Sequence, residues 1–140
     1  VALPIKDGKI TTPYNWKCCR QEKGKKTPHY WTECRHKGVD FKAAINTPVY
    51  AVADGKMTNA SWGKSYGNQI VQTLPDGSFW IYAHLSKLNK AAGDTITKGE
   101  LLGYSGNSGN SSAPHLHCER RNAIRWSAGK DLDPAEILGA

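Results

Sequence analysis

Gln69-Ile70-Val71-Gln72-Thr73-Leu74, Pro75-Asp76-Gly77-Ser78 and Phe79-Trp80-Ile81-Tyr82-Ala83-His84-Leu85 follow one another without a break. Two runs rich in branched and aromatic residues flank a cluster of turn formers, which is the pattern of a β-hairpin. A second pair of runs, Thr47 to Ala53 and Met57 to Trp62, flanks Asp54-Gly55, a dipeptide that favours tight hairpin turns. A third candidate, Thr95 to Tyr104, is interrupted at Lys98-Gly99. No long stretch shows helical periodicity, and 14 Gly and 7 Pro punctuate the 140 residues. The expected fold class is therefore all-β with mainly antiparallel pairing. One short C-terminal helix is expected at Asp133-Pro134-Ala135-Glu136, where a capping residue precedes proline at the first helical position and glutamate at the third.

A chain of this length has room for one domain with a modest core. No apolar run approaches the roughly 18 residues that a spanning helix needs, so no membrane span is expected. The opening Val1-Ala2-Leu3-Pro4 has no basic stretch leading into an apolar one, and the expectation is a processed enzyme or a module excised from a longer chain. The formal net charge of +7 and pI near 9.3 favour encounter with anionic polymers, although solubility alone explains such a balance equally well. No nucleic-acid motif accompanies the basic residues, which are spread along the chain apart from Lys23 to Lys26.

Four cysteines, Cys18, Cys19, Cys34 and Cys118, are disulfide candidates. The pairing expected is Cys34 with Cys18 or Cys19, while Cys118 faces away from the chemistry. A zinc knuckle from Cys18, Cys19, Cys34 and His29 is the rival, but adjacent cysteines do not fit the usual spacer. Disulfides point to an oxidising, extracellular setting.

Four of the five histidines lie in three short segments: Arg35-His36-Lys37-Gly38-Val39-Asp40, Tyr82-Ala83-His84-Leu85 and Pro114-His115-Leu116-His117. A catalytic zinc needs three ligands and an open position for water. In an extended strand His36 and Asp40 would stand about 13 Å apart. Gly38 between them can adopt positive φ and turn the chain so that both reach one ion. His115 and His117 alternate onto one face of a strand, with Leu116 and Cys118 on the other. Spacing alone leaves open which of the two is a ligand and which handles protons. Each histidine taken singly is most simply a surface residue or a satisfied core residue. His29 stays with that reading. Trp62, Trp80 and Tyr82 either line a groove or pack in the core.

Taken together, these segments carry a resemblance. His36-Lys37-Gly38-Val39-Asp40-Phe41, Thr47-Pro48-Val49-Tyr50-Ala51-Val52-Ala53-Asp54-Gly55, Tyr66-Gly67-Asn68, Tyr82-Ala83-His84-Leu85, Leu101-Leu102-Gly103, Ser105-Gly106-Asn107-Ser108-Gly109 and Pro114-His115-Leu116-His117 run in unbroken order. The set resembles the lysostaphin/LytM-type zinc metalloendopeptidases that act on peptidoglycan. The resemblance implies a β-sheet platform with a loop-walled groove. It also implies one Zn2+ held by His36, Asp40 and His117, with His84 and His115 as the proton-handling pair and Tyr66 and Asn68 beside the substrate carbonyl. Peptidoglycan would be the partner and the bacterial cell wall the place of action. The expected organisation is a single peptidase domain over 1–140, with a Cys-containing arm over 1–34, a catalytic core over 35–120 and a C-terminal segment over 121–140; a monomer is expected, or a module excised from a longer chain with a wall-binding module. The sequence departs from the family pattern at Cys118, where an aromatic is usual, and at Ala113, where glycine is frequent. A non-catalytic module of the same fold would be expected to lose metal ligands, and none is missing here. Other cell-wall zinc peptidases hold their first His and Asp further apart.

Overall fold

The computed structural model describes residues 3–6, 8–12, 14, 38–61, 67–107, 114–122 and 131–138. Among them are ten strands: β1 (Ile10–Thr12), β2 (Val39–Lys42), β3 (Pro48–Tyr50), β4 (Gly55–Ser61), β5 (Asn68–Thr73), β6 (Phe79–Leu88), β7 (Thr95–Ile96), β8 (Leu101–Ser105), β9 (His115–Arg121) and β10 (Asp131–Leu132). One turn of helix, α1 (Ala135–Leu138), follows; Asp133 Oδ1 accepts a hydrogen bond from the Ala135 amide at 2.9 Å at its start.

Every pairing is antiparallel, and the main path across the sheet runs β1-β2-β9-β6-β5-β4-β7. The hairpin β5–β6 forms where the branched and aromatic runs place it, with Gln72 opposite Trp80 and Thr73 opposite Phe79. Its turn is held locally. Gly77 takes φ 86°, and Asp76 Oδ1 accepts from the Ser78 amide at 2.9 Å. Arg120 donates to Asp76 Oδ2 at 2.6 Å from the neighbouring strand. The bonds from Ser78, followed by those from Arg120, hold the Asp76 carboxyl below its usual range against the opposing effect of burial.

Asp54-Gly55 does not close a hairpin, contrary to the expectation from the dipeptide. β3 pairs with β8, whereas β4 pairs with β5 and β7, so the chain crosses between partners there. Buried polar groups fix this crossing. Tyr82 donates to Gln72 Oε1 at 2.7 Å and accepts from the Val52 amide at 3.1 Å, and Gln72 Nε2 donates to the Ala53 carbonyl at 2.7 Å. Asp54 Oδ1 accepts from the Lys98 amide, tying the crossing to the β7–β8 turn. Tertiary partners thus override a local turn signal.

Strand alternation divides the sheet into two faces. Phe41, Ile70, Trp80, Tyr82, Leu116 and Cys118 point into the main core with Val49, Met57 and Leu102. Val71, Ile81 and Ala83 form a smaller cluster on the opposite face, with Phe79 packed against it. Trp80 and Tyr82 are completely buried in the main core, so packing accounts for them and they do not line a groove. Burial contributes about 1.5–3 kcal/mol for each large apolar side chain.

Candidate active site

Three adjacent strands bring the chemistry together. In β2 and β9, Asp40 lies opposite His117 and Lys42 opposite His115; in β6 and β9, Ala83 lies opposite His117. Because β9 alternates, His115, His117, Glu119 and Arg121 share the face opposite the main core. Asp40 shares that face from β2, since its neighbours Val39 and Phe41 are in the core. His117 Nδ1 lies 2.7 Å from Asp40 Oδ1, and His115 Nε2 lies 3.7 Å from the same oxygen.

His84 reaches this group through a bulge. Ile70 pairs with Tyr82 and Asn68 with Leu85, so Ala83 and His84 together oppose the single residue Gln69. His84 takes φ 60°, a left-handed conformation that a non-glycine residue seldom adopts. The extra residue changes the phase of the strand. Leu85 returns to the core, and the His84 ring stands 4.9 Å from that of His115 and 6.1 Å from that of His117, centroid to centroid.

His117 is flanked by two carboxylates. Its Nδ1 faces Asp40, and its Nε2 lies 3.1 Å from Glu119 Oε1. Burial lowers the pKa of the imidazole, but the hydrogen bonds and charges of Asp40 and Glu119 outweigh it and raise the value to about 10. The position between the carboxylates therefore favours positive charge, from a proton or from a metal cation. With the Nε2 proton directed to Glu119, the Nδ1 lone pair and the Asp40 oxygen form a nitrogen–oxygen donor pair suited to zinc.

A model of peptidase family M23 matches residues 34–134. The chain belongs to peptidase family M23. It is 46% identical over 103 residues to the glycyl-glycine endopeptidase ALE-1 of Staphylococcus capitis, covering 71% of this chain and 28% of that protein. It is 44% identical over 103 residues to lysostaphin of Staphylococcus simulans, covering 71% of this chain and 21% of that one. The M23 chain thus spans about a quarter of the length of these relatives. The crystallised catalytic domain of lysostaphin from Staphylococcus simulans matches with a TM-score of 0.78 at 35% identity, covering 96% of this chain and 94% of that one.

Of the residues singled out in this M23 sequence, Asp40, His84, His115 and His117 come together. Asn68 opens β5 opposite Leu85, one residue past the His84 bulge. His36, Tyr66, Cys18, Cys19, Cys34, His29 and Trp62 lie outside the described residues. Cys118 is a buried thiol in the main core, in no disulfide among the described residues; burial raises its pKa far above the usual range.

The role expected of Gly38 needs correction. Gly38 does not have positive φ; what demands glycine is close approach. A Cβ there would stand 2.2 Å from the Cys118 carbonyl oxygen, 2.7 Å from Glu119 Cγ and 2.8 Å from His117 Cε1. Glu119 was not among the expected site residues. Its signal was available: it continues the two-residue alternation of His115 and His117 by one step.

Proposed function

We propose that this M23 domain is a zinc-dependent endopeptidase that hydrolyses peptide bonds of bacterial peptidoglycan, in a cross-bridge or stem peptide, acting outside the cell at the wall. The observation that carries the reading is the convergence of a carboxylate–imidazole donor pair, Asp40 and His117, with two further histidines, His84 and His115. Family membership and the relatives named as endopeptidases support it. Asp40, His117 and, from the resemblance, His36 would hold the ion. Tyr66 and Asn68 are assigned to the substrate carbonyl.

A zinc ion in such a site supplies Lewis acidity and lowers the pKa of water from about 15.7 towards 7. The chain's own residues handle the protons. His115, whose Nε2 lies 3.7 Å from Asp40 Oδ1, would accept a proton from the attacking water; His84, with its ring 4.9 Å from that of His115, would share in returning one to the leaving amine. The water oxygen bonds to the carbonyl carbon, the C–N bond breaks, and the amine leaves protonated. The bulge and the buried faces of β6 and β9 fix both rings before substrate arrives, which keeps the cost of orientation low.

Digestion of purified walls with glycine-rich or direct cross-links, followed by identification of new amino termini, tests the proposal. Release of new termini that stops on chelation and returns with zinc is the expected result. Wall binding without any new terminus, or full activity after exhaustive chelation, overturns it.

A further inference from the structure

We propose that Glu119, backed by Arg121, is a positioning residue that fixes the ring orientation and tautomer of His117, so that Nδ1 can exchange its proton for a metal ion shared with Asp40. The inference rests on the metal reading above and adds a requirement to it. Glu119 Oε1 lies 3.1 Å from His117 Nε2, and Arg121 Nη1 lies 3.7 Å from Glu119 Oε2. The Glu119 and Arg121 side chains are each 3% exposed. Without metal both ring nitrogens face carboxylates, Nδ1 lying 2.7 Å from Asp40 Oδ1. Once a metal cation takes the place of the Nδ1 proton, the hydrogen bond to Glu119 holds the remaining proton at Nε2, so that Nδ1 presents its lone pair.

Two features set this arrangement apart from an ordinary ion pair. Taking Glu119 and Arg121 out of water is costly, and apolar residues of similar volume often serve stability equally well at such positions. A purely structural role therefore gives little reason for charge here, whereas a ring that must present one particular nitrogen does. The residue before β2 also approaches closely: at Gly38 a single added carbon would meet both Glu119 Cγ and His117 Cε1 within 3 Å. Glycine at this position leaves the ring the space it occupies, and the two carboxylates, one at each nitrogen, oppose its rotation. Strand β9 thus supplies, on one face and at every second residue, a proton-handling histidine, a ligand histidine, the carboxylate that aims it and the cation that balances the carboxylate.

The test uses the whole chain and zinc itself. Zinc affinity is measured by competition with a chelating dye for the unaltered protein, Glu119→Ala and Glu119→Gln, with the melting temperature of each chelated protein as the check on folding. Glu119→Ala is expected to bind zinc about 10- to 100-fold more weakly. Glu119→Gln keeps an acceptor for Nε2–H and is expected to stay within about 10-fold of the unaltered protein. Nitrogen NMR of the zinc-loaded unaltered protein should show His117 protonated at Nε2, a readout that does not depend on any variant folding. A folded Glu119→Ala protein with unchanged affinity, or a His117 protonated at Nδ1, overturns this proposal while leaving the metal reading intact. Failure of the unaltered protein to bind zinc overturns both.

Discussion

His84 holds a left-handed backbone, φ 60°, while its ring stacks at a tilt 4.9 Å from that of His115. A bulged residue with a strained backbone supplies a side chain to the site, and strain of this kind costs on the order of 1–3 kcal/mol. Glycine accepts positive φ without a steric penalty, whereas alanine does not. His84→Gly is therefore expected to be more stable than His84→Ala by about 1 kcal/mol, the reverse of their usual order in a strand. Denaturant unfolding of the two variants measures the difference, and a more stable alanine variant contradicts the role given to the bulge.

The neighbouring histidines of β9 are expected to separate by role. His117→Ala removes a proposed ligand and should lose both zinc and turnover. His115→Ala and His84→Ala should keep zinc but lose about 10²- to 10⁴-fold in rate, the usual contribution of a proton-transfer group. Zinc content, melting temperature and wall-lysis rate together distinguish the outcomes. If His115→Ala emptied the site while His117→Ala kept its metal, the two assignments would be exchanged.

The raised pKa of His117 gives the chelated protein a pH dependence with a definite sign. The folded value is about 10 and the unfolded value about 6.5. The folded state binds the extra proton, so this contribution to stability is complete below about pH 6.5 and is lost as pH rises through 10. Thermal melts from pH 6 to 10 in the presence of chelator should show a falling melting temperature. Zinc competes with the proton at Nδ1, so zinc affinity should rise over the same interval. Equal melting temperatures across the range would contradict the charge assignment.

Tyr82 offers a contrast between structure and chemistry. Burial raises its pKa well above the ordinary tyrosine value, and its hydroxyl is committed to Gln72 and the Val52 amide. Tyr82→Phe leaves a buried acceptor and a buried donor without this partner, at a cost of about 1–3 kcal/mol. Zinc content should not change. Urea unfolding and metal analysis of this variant check both halves of the expectation.

The β5–β6 hairpin was legible because its strands and turn are adjacent and agree with one another. The crossing at Asp54-Gly55 was not, since the partners of β3 and β4 lie far along the chain and their pairing depends on the buried Tyr82–Gln72 bonds. In the site, the alternation of His115 and His117 placed both on one face, and their different neighbours appear only when β2 and β6 flank β9. Gly38 was recognised as necessary for the wrong physical reason. A sequence shows that a side chain is absent, but the atoms that would collide with it belong to Cys118, Glu119 and His117, which lie some 80 residues away.

Asp40 and His117 are separated by 77 positions in sequence yet face each other across adjoining strands. The donor pair therefore has one half on β2 and the other on β9. The same strand completes the core through Leu116 and Cys118. Loss of β9 would therefore take away half of the donor pair and a share of the hydrophobic interior together, so that the proposed metal site and the packing of the sheet stand or fall as one.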